Sequence, residues 1–131
     1  MKKRNLRIFL FPLLASCVIF GLGLSVDQND SQQQAETIVK HNCSVMGCHQ
    51  GKFPAANLNM ELGQFPGTVV DVPSKEKPEL KIVDKGNPEK SYLFLKVQGS
   101  PEIKGKRMPL GKDSLTAGEI QAIANWIISL K

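Results

Sequence analysis

Two cysteines and a histidine lie close together in the segment Cys43-Ser44-Val45-Met46-Gly47-Cys48-His49. A Cys43–Cys48 disulfide would suit an exported protein. A zinc site would need a fourth ligand, and only His41 is near. A thiol oxidoreductase would need a two-residue gap within a β-α-β pattern, and the sequence has neither. In covalent haem attachment, two thiols add to the haem vinyl groups and the adjacent histidine binds the iron. The usual spacing for haem attachment is C-x-x-C-H, whereas here four residues separate the two cysteines. Gly47 gives the backbone of this wider loop the freedom to bring both sulfurs to the haem edge.

A methionine far along the chain favours haem among these alternatives. Haem iron bound by one histidine commonly takes methionine as its sixth ligand in electron carriers. Met108 lies in a polar loop, where helical periodicity gives no reason for an apolar side chain. Pro109 follows it and restricts the backbone direction. The other two methionines near this region, Met46 and Met60, are predicted to be packing residues.

Three helices are predicted to position these residues. The first runs from Ala35 to about Asn42, and the second begins with Asn87 as cap and Pro88 at the first helical position. The third begins with a capping box, Thr116 to Glu119. Its apolar residues recur at helical spacing, namely Ile120, Ile123, Ala124, Ile127 and Ile128.

The connecting segments are long for so small a core. Residues 49–87 contain many Gly, Pro, Lys and Asn residues and few apolar ones. Loops of that length indicate that something other than helix packing organises them. A large cofactor would supply the missing core, which agrees with the chemistry of the Cys-His segment.

The first 25 residues have the layout of a secretory signal. Basic residues precede an apolar run from Ile8 to Leu24, and the small residues Gly23 and Ser25 suit cleavage after Ser25. Two alternatives stay open: an uncleaved membrane anchor, or a lipoprotein modified at Cys17. Each places the folded part outside the inner membrane, so a periplasmic or otherwise exported location is expected. Residues 26–34 are predicted to be a polar linker, and residues 35–131 a single domain.

The charge of the chain excludes a uniformly basic nucleic-acid-binding module. The formal charge is +5, from 17 basic and 12 acidic side chains. Four of the basic residues are Lys2, Lys3, Arg4 and Arg7, so the rest of the chain has 13 basic and 12 acidic side chains, or +1.

The order of the motifs resembles the small cytochrome c domains of secreted bacterial proteins. The resemblance rests on residues 41–49, residues 86–93, Arg107-Met108-Pro109, and residues 115–127, and it covers about residues 35–131. It implies an all-α, class I cytochrome c-like fold of three to four helices around one covalent haem c. It also implies thioether bonds at Cys43 and Cys48, with His49 as the proximal and Met108 as the distal iron ligand.

The function expected from this resemblance is single-electron transfer to and from redox protein partners, without catalysis. One alternative is a haem enzyme subunit or sensor whose sixth iron position is open. Another is a non-haem interaction domain stabilised by a disulfide. Trp126 and Tyr92 are expected to pack in the core, and His41 to lie at a helix end. The cluster Lys104, Lys106, Arg107 and Lys112 is expected to be ordinary solvated loop charge rather than a docking rim.

Overall fold

The computed structural model describes residues 27–131, and this part of the chain is all-α, as predicted. Its helices are α1 (Gln28–Asn42), α2 (Tyr92–Gln98) and α3 (Ala117–Ser129), with short 3₁₀ helices at Ala55–Asn57 and Pro88–Lys90. Only isolated β-bridges occur between these elements. Within residues 27–131 no helix has the length and apolar character needed to cross a membrane. The predicted leader, its cleavage point and Cys17 lie outside the described residues.

Helix α1 begins seven residues earlier than the Ala35 start predicted from the sequence. Asp27 caps it, since its side chain accepts a hydrogen bond of 2.9 Å from the Asn29 backbone N–H. The expected linker at 26–34 is therefore largely helical. The polar side chains of this stretch concealed the helix because its buried stripe starts with Ser31, which is 3% exposed, rather than with an apolar residue.

Helices α1 and α3 pack against each other and run in opposite directions. The hydroxyl groups of Ser31 and Ser129 are 3.0 Å apart at one end of the pair. At the other end, Asn42 Nδ2 donates to Glu119 Oε1 at 3.4 Å. Hydrogen bonds at both ends therefore fix how the two helices are aligned along their length.

The third helix keeps its predicted start, and its buried face differs by one residue. Both hydrogen bonds of the Thr116–Glu119 capping box are present. Ile128, predicted for the buried stripe, is 58% exposed, whereas Trp126 is fully buried. Trp126 packs near the ring of Phe65, with 5.0 Å between ring centroids. The buried face of α3 therefore packs against residues 43–87 as well as against α1.

The second helix begins later than predicted. Pro88–Lys90 is a 3₁₀ turn, and the Asn87 side chain caps nothing. The α-helix starts at Tyr92 because Ser91 commits its hydroxyl to the backbone of Asp84 and Asn87. Six consecutive residues of α2, Tyr92–Val97, are buried.

The long segment between α1 and α2 contributes more core than its composition indicated. Met60, Phe65, Val69 and Val83 are each at most 5% exposed and belong to the main apolar cluster. Backbone hydrogen bonds between residues 69–74 and 80–83 hold part of the segment together. The core is therefore assembled from loop and helix residues, and it surrounds a cavity.

Candidate functional site

A cavity of about 420 Å³ opens between the 43–87 segment, α2 and the loop that precedes α3. Four of the residues that line it are the predicted site residues Cys43, Cys48, His49 and Met108. The volume lies within the range of about 300–1,000 Å³ that is typical of cofactor sites. The fold thus brings together, on one cavity, groups that lie at opposite ends of the domain sequence.

The ring of His49 is oriented by a backbone carbonyl. Its Nδ1 lies 3.2 Å from the oxygen of Leu58. A carbonyl only accepts, so Nδ1 is the donor, and the neutral ring in this tautomer has its lone pair on Nε2. Metal-binding histidines are usually held in this way, with the second ring nitrogen bonded to an acceptor. The same region is tied again by the Met60 backbone N–H, which donates to the His49 oxygen at 2.8 Å.

Both cysteines are free thiols and line the cavity. No disulfide joins Cys43 and Cys48 in this structure. Burial raises the pKa of the Cys43 thiol to about 11, although the positive charge of Lys112 acts in the opposite direction. The loop between the cysteines uses a positive φ of 83° at Gly47, in agreement with the role expected for that glycine.

The three methionines near the site differ in their environments. Met108 lines the cavity, and its backbone N–H donates to the Lys96 oxygen at 3.0 Å. Met60 is 5% exposed and belongs to the apolar core, as predicted, and it also lines the cavity. The packing role predicted for Met46 is wrong, since this side chain is 93% exposed in the loop between the cysteines.

One part of the cavity wall is polar, and its hydrogen-bonded side chains were not predicted from the sequence. Lys96 is 8% exposed, and its Nζ donates to Glu76 at 2.8 Å and to the Lys104 oxygen at 2.9 Å. The Tyr92 hydroxyl donates to the same Glu76 oxygen at 2.7 Å. The hydrogen bond from Lys96 holds the pKa of Glu76 below its usual value. A lone lysine within the apolar run 92–97 was the signal that could have pointed to this wall.

The residues that line the cavity fit a haem. A haem needs an apolar enclosure, thiols for covalent attachment, one or two axial ligands, and polar surroundings for its carboxylates. The cavity offers the four site residues, apolar neighbours such as Leu93 and Ile123, and the polar wall near Lys96. Among residues 27–131 there is no cluster of three or more His, Cys, Asp or Glu residues of the kind that binds a metal ion directly. Haem iron does not need such a cluster, because the porphyrin supplies four of its ligands.

Several residues have the structural roles predicted for them. Trp126 lies in the core, and its Nε1 is buried without an acceptor in the described part of the chain. Tyr92 is buried, with its hydroxyl hydrogen-bonded. His41 is exposed near the end of α1, and its Nδ1 lies 2.8 Å from the Thr37 oxygen.

Two members of the basic cluster are hydrogen-bonded to backbone carbonyls, and the other two are exposed. Arg107 uses its Nε to donate to the Val97 oxygen at 2.8 Å. Lys112 donates to the oxygen of His41 at 3.1 Å. Lys104 and Lys106 are exposed.

Comparison of the chain with known proteins gave no match to a family model, to a curated protein or to a solved structure.

Proposed function

We propose that this chain is a monohaem c-type cytochrome that carries single electrons outside the inner membrane. The proposal is supported most directly by one observation: Cys43, Cys48, His49 and Met108 all line the same cavity. Cys43 and Cys48 would hold the haem covalently, and His49 and Met108 would be its axial ligands. The bound haem would supply the one-electron chemistry of its iron.

The residues around the cavity suit this function because they orient ligands and exclude water. The Leu58 carbonyl fixes the His49 ring with Nε2 free to bind a metal. The Lys96 carbonyl holds the backbone of Met108. Apolar side chains make up most of the cavity surface, among them Val39, Leu58, Ile82, Leu93 and Ile123. Such a lining favours electron transfer without exposing the iron to solvent.

The proposed partners are redox proteins, and an exported location follows from the leader predicted in the first 25 residues. A haem enzyme or sensor with an open sixth position differs from this proposal in one respect, the state of Met108. The two functions are therefore separated by measuring whether the iron binds an external ligand.

The test of haem attachment is to produce the full chain with haem-attachment machinery and extract it with acidic acetone. We expect the haem to remain with the protein and the intact mass to rise by one haem. Cys48→Ala should reduce attachment more than Cys43→Ala, because Cys48 adjoins the proximal ligand. Met46→Ala is the matched control within the same loop, since its side chain is exposed and contacts little. A folded but colourless protein, or complete extraction of the haem, would refute the proposal.

A further inference from the structure

The loop that carries Met108 is attached to the last turn of α2 by hydrogen bonds to consecutive backbone carbonyls. The last four carbonyls of any α-helix lack partners within the helix and must find them elsewhere. In α2, the Leu95 oxygen accepts from the backbone N–H groups of Gly99 and Ser100. This capping leaves the next two carbonyls, of Lys96 and Val97, available to another segment.

Two neighbouring residues of the loop donate hydrogen bonds to these two carbonyls. The Met108 backbone N–H donates to the Lys96 oxygen at 3.0 Å. The Arg107 Nε donates to the Val97 oxygen at 2.8 Å. Basic side chains commonly bond to the last carbonyls of a helix in this way. Because α2 is buried in the core, the position of residues 107–108 is fixed relative to the cavity.

The loop is also held farther along, by the side chain of Lys96. Its Nζ donates to the Lys104 oxygen at 2.9 Å while bound to Glu76. Lys96 therefore contacts the loop through both its backbone and its side chain. Among these hydrogen bonds, the one from Arg107 to Val97 differs from the others, because it links the side chain of the residue next to Met108 directly to α2.

We propose that Arg107 is a positioning residue that keeps the sulfur of Met108 at the haem iron by docking the loop on the last carbonyls of α2. This inference rests on the proposed function. Arg107 would act through its bond to the Val97 carbonyl and would not itself be an iron ligand. It limits the freedom of the adjacent residue, so that the thioether stays in place without help from a substrate or partner.

The packing of Arg107 against Gly99 supports the same role. A Cβ atom added at Gly99 would lie 2.8 Å from the Arg107 Cδ. The side chain thus passes over the glycine that ends α2, so that a larger residue at position 99 would require Arg107 to shift. At Gly111, in the same loop, an added Cβ would meet nothing within 4 Å.

The test compares the haem-loaded wild type with Arg107→Leu, which has no donor, and Arg107→Lys. Arg107→Leu should lose most of the weak sulfur-to-iron charge-transfer band of the ferric protein, lower the reduction potential and let carbon monoxide bind to ferrous iron. Arg107→Lys should retain part of the band, because an amine can still donate to the Val97 carbonyl. Unchanged band, potential and carbon monoxide binding in Arg107→Leu would overturn the inference.

A second pair of variants separates positioning from general strain in the loop. Gly99→Ala and Gly111→Ala both place alanine at a positive φ, 78° and 71° respectively, so the backbone strain is similar. Only Gly99→Ala displaces Arg107, and it should weaken the band more, although Gly111 lies closer to Met108 in sequence. Equal loss in the two variants would also overturn the inference.

These outcomes are distinct from failure of the proposed function. Wild-type protein that lacks haem or lacks the charge-transfer band would refute the function itself. Wild-type protein with the band, together with an Arg107→Leu variant that keeps it, would refute the positioning role alone.

Discussion

At the scale of single residues, the two proposed iron ligands are held by backbone carbonyls rather than by side chains. His49 bonds to the Leu58 oxygen, and the backbone of Met108 bonds to the Lys96 oxygen. The polar wall beside the cavity differs, because there Glu76 pairs with Lys96 through their side chains.

Glu76 should stabilise the fold at neutral pH and lose this effect in acid. Its pKa is lowered chiefly by the hydrogen bond from Lys96, with smaller effects from Tyr92 and from the charge of Lys104. A carboxyl whose pKa is lowered on folding stabilises above its unfolded pKa, here near 4.5, and loses that stability as pH falls through the folded value.

We therefore expect Glu76→Gln to lower the melting temperature at pH 7 and to have little effect at a pH below the folded pKa. Glu79→Gln is the control, since its side chain is 63% exposed and its distance of 3.6 Å from Lys77 is long. Thermal unfolding of both variants across pH 3 to 7 checks this. If Glu76→Gln lowers the melting temperature by the same amount at every pH in this range, the charge of the carboxylate does not contribute to stability.

At the scale of elements, the first two turns of α1 determine how the helix pair is anchored. Ser31 is buried against α3 through its contact with Ser129, whereas Gln33 is exposed on the same turns. Hydrogen bonds between polar side chains, such as Gln32 to Glu36, cover the solvent face. The small hydroxyl side chain of Ser31 is therefore buried at a helix position where an apolar residue would normally be expected.

Ser31→Leu should destabilise the protein, and Gln33→Leu should not. Both replacements put the same helix-forming residue into the same turns, and helix propensity alone would favour leucine over serine at position 31 and be nearly neutral at position 33. The larger side chain at position 31 would be forced between α1 and α3, at a cost of about 1–3 kcal/mol. Chemical denaturation measures the difference. Equal stability of the two variants would mean that residues 28–34 do not pack as the structure describes.

At the scale of the whole molecule, the sequence predicted the helical class, the third helix and the residues that meet at the cavity. These succeeded because each has a local signal: a capping box, isoleucines at helical spacing, and cysteines beside a histidine. The early start of α1 and the late start of α2 were missed, because both depend on contacts between distant residues. Ser31 contacts Ser129 of α3, and the Ser91 hydroxyl is bonded to the backbone of Asp84.

The polar wall and the loop attachment were missed for the same physical reason. Glu76, Lys96 and Lys104 come from three separate segments, and nothing in the sequence near any one of them indicates the other two. The apolar residues of the 43–87 segment were underestimated, since Phe65, Val69 and Val83 are interspersed with Gly, Pro, Lys and Glu residues and do not form one continuous periodic run. Their burial depends on the folded path of the loop.

The state of the sixth iron position tests the account most directly, because it separates an electron carrier from an enzyme or sensor. We predict that the ferric wild type is low-spin, shows the weak sulfur-to-iron charge-transfer band at the red end of the spectrum, and that its ferrous form does not bind carbon monoxide. Met108→Ala should abolish the band, lower the potential and admit carbon monoxide, because methionine ligation raises the potential and fills the site. Met60→Leu, a volume-conserving change in the core, should leave all three unchanged. High-spin wild-type iron that binds carbon monoxide readily would contradict the account.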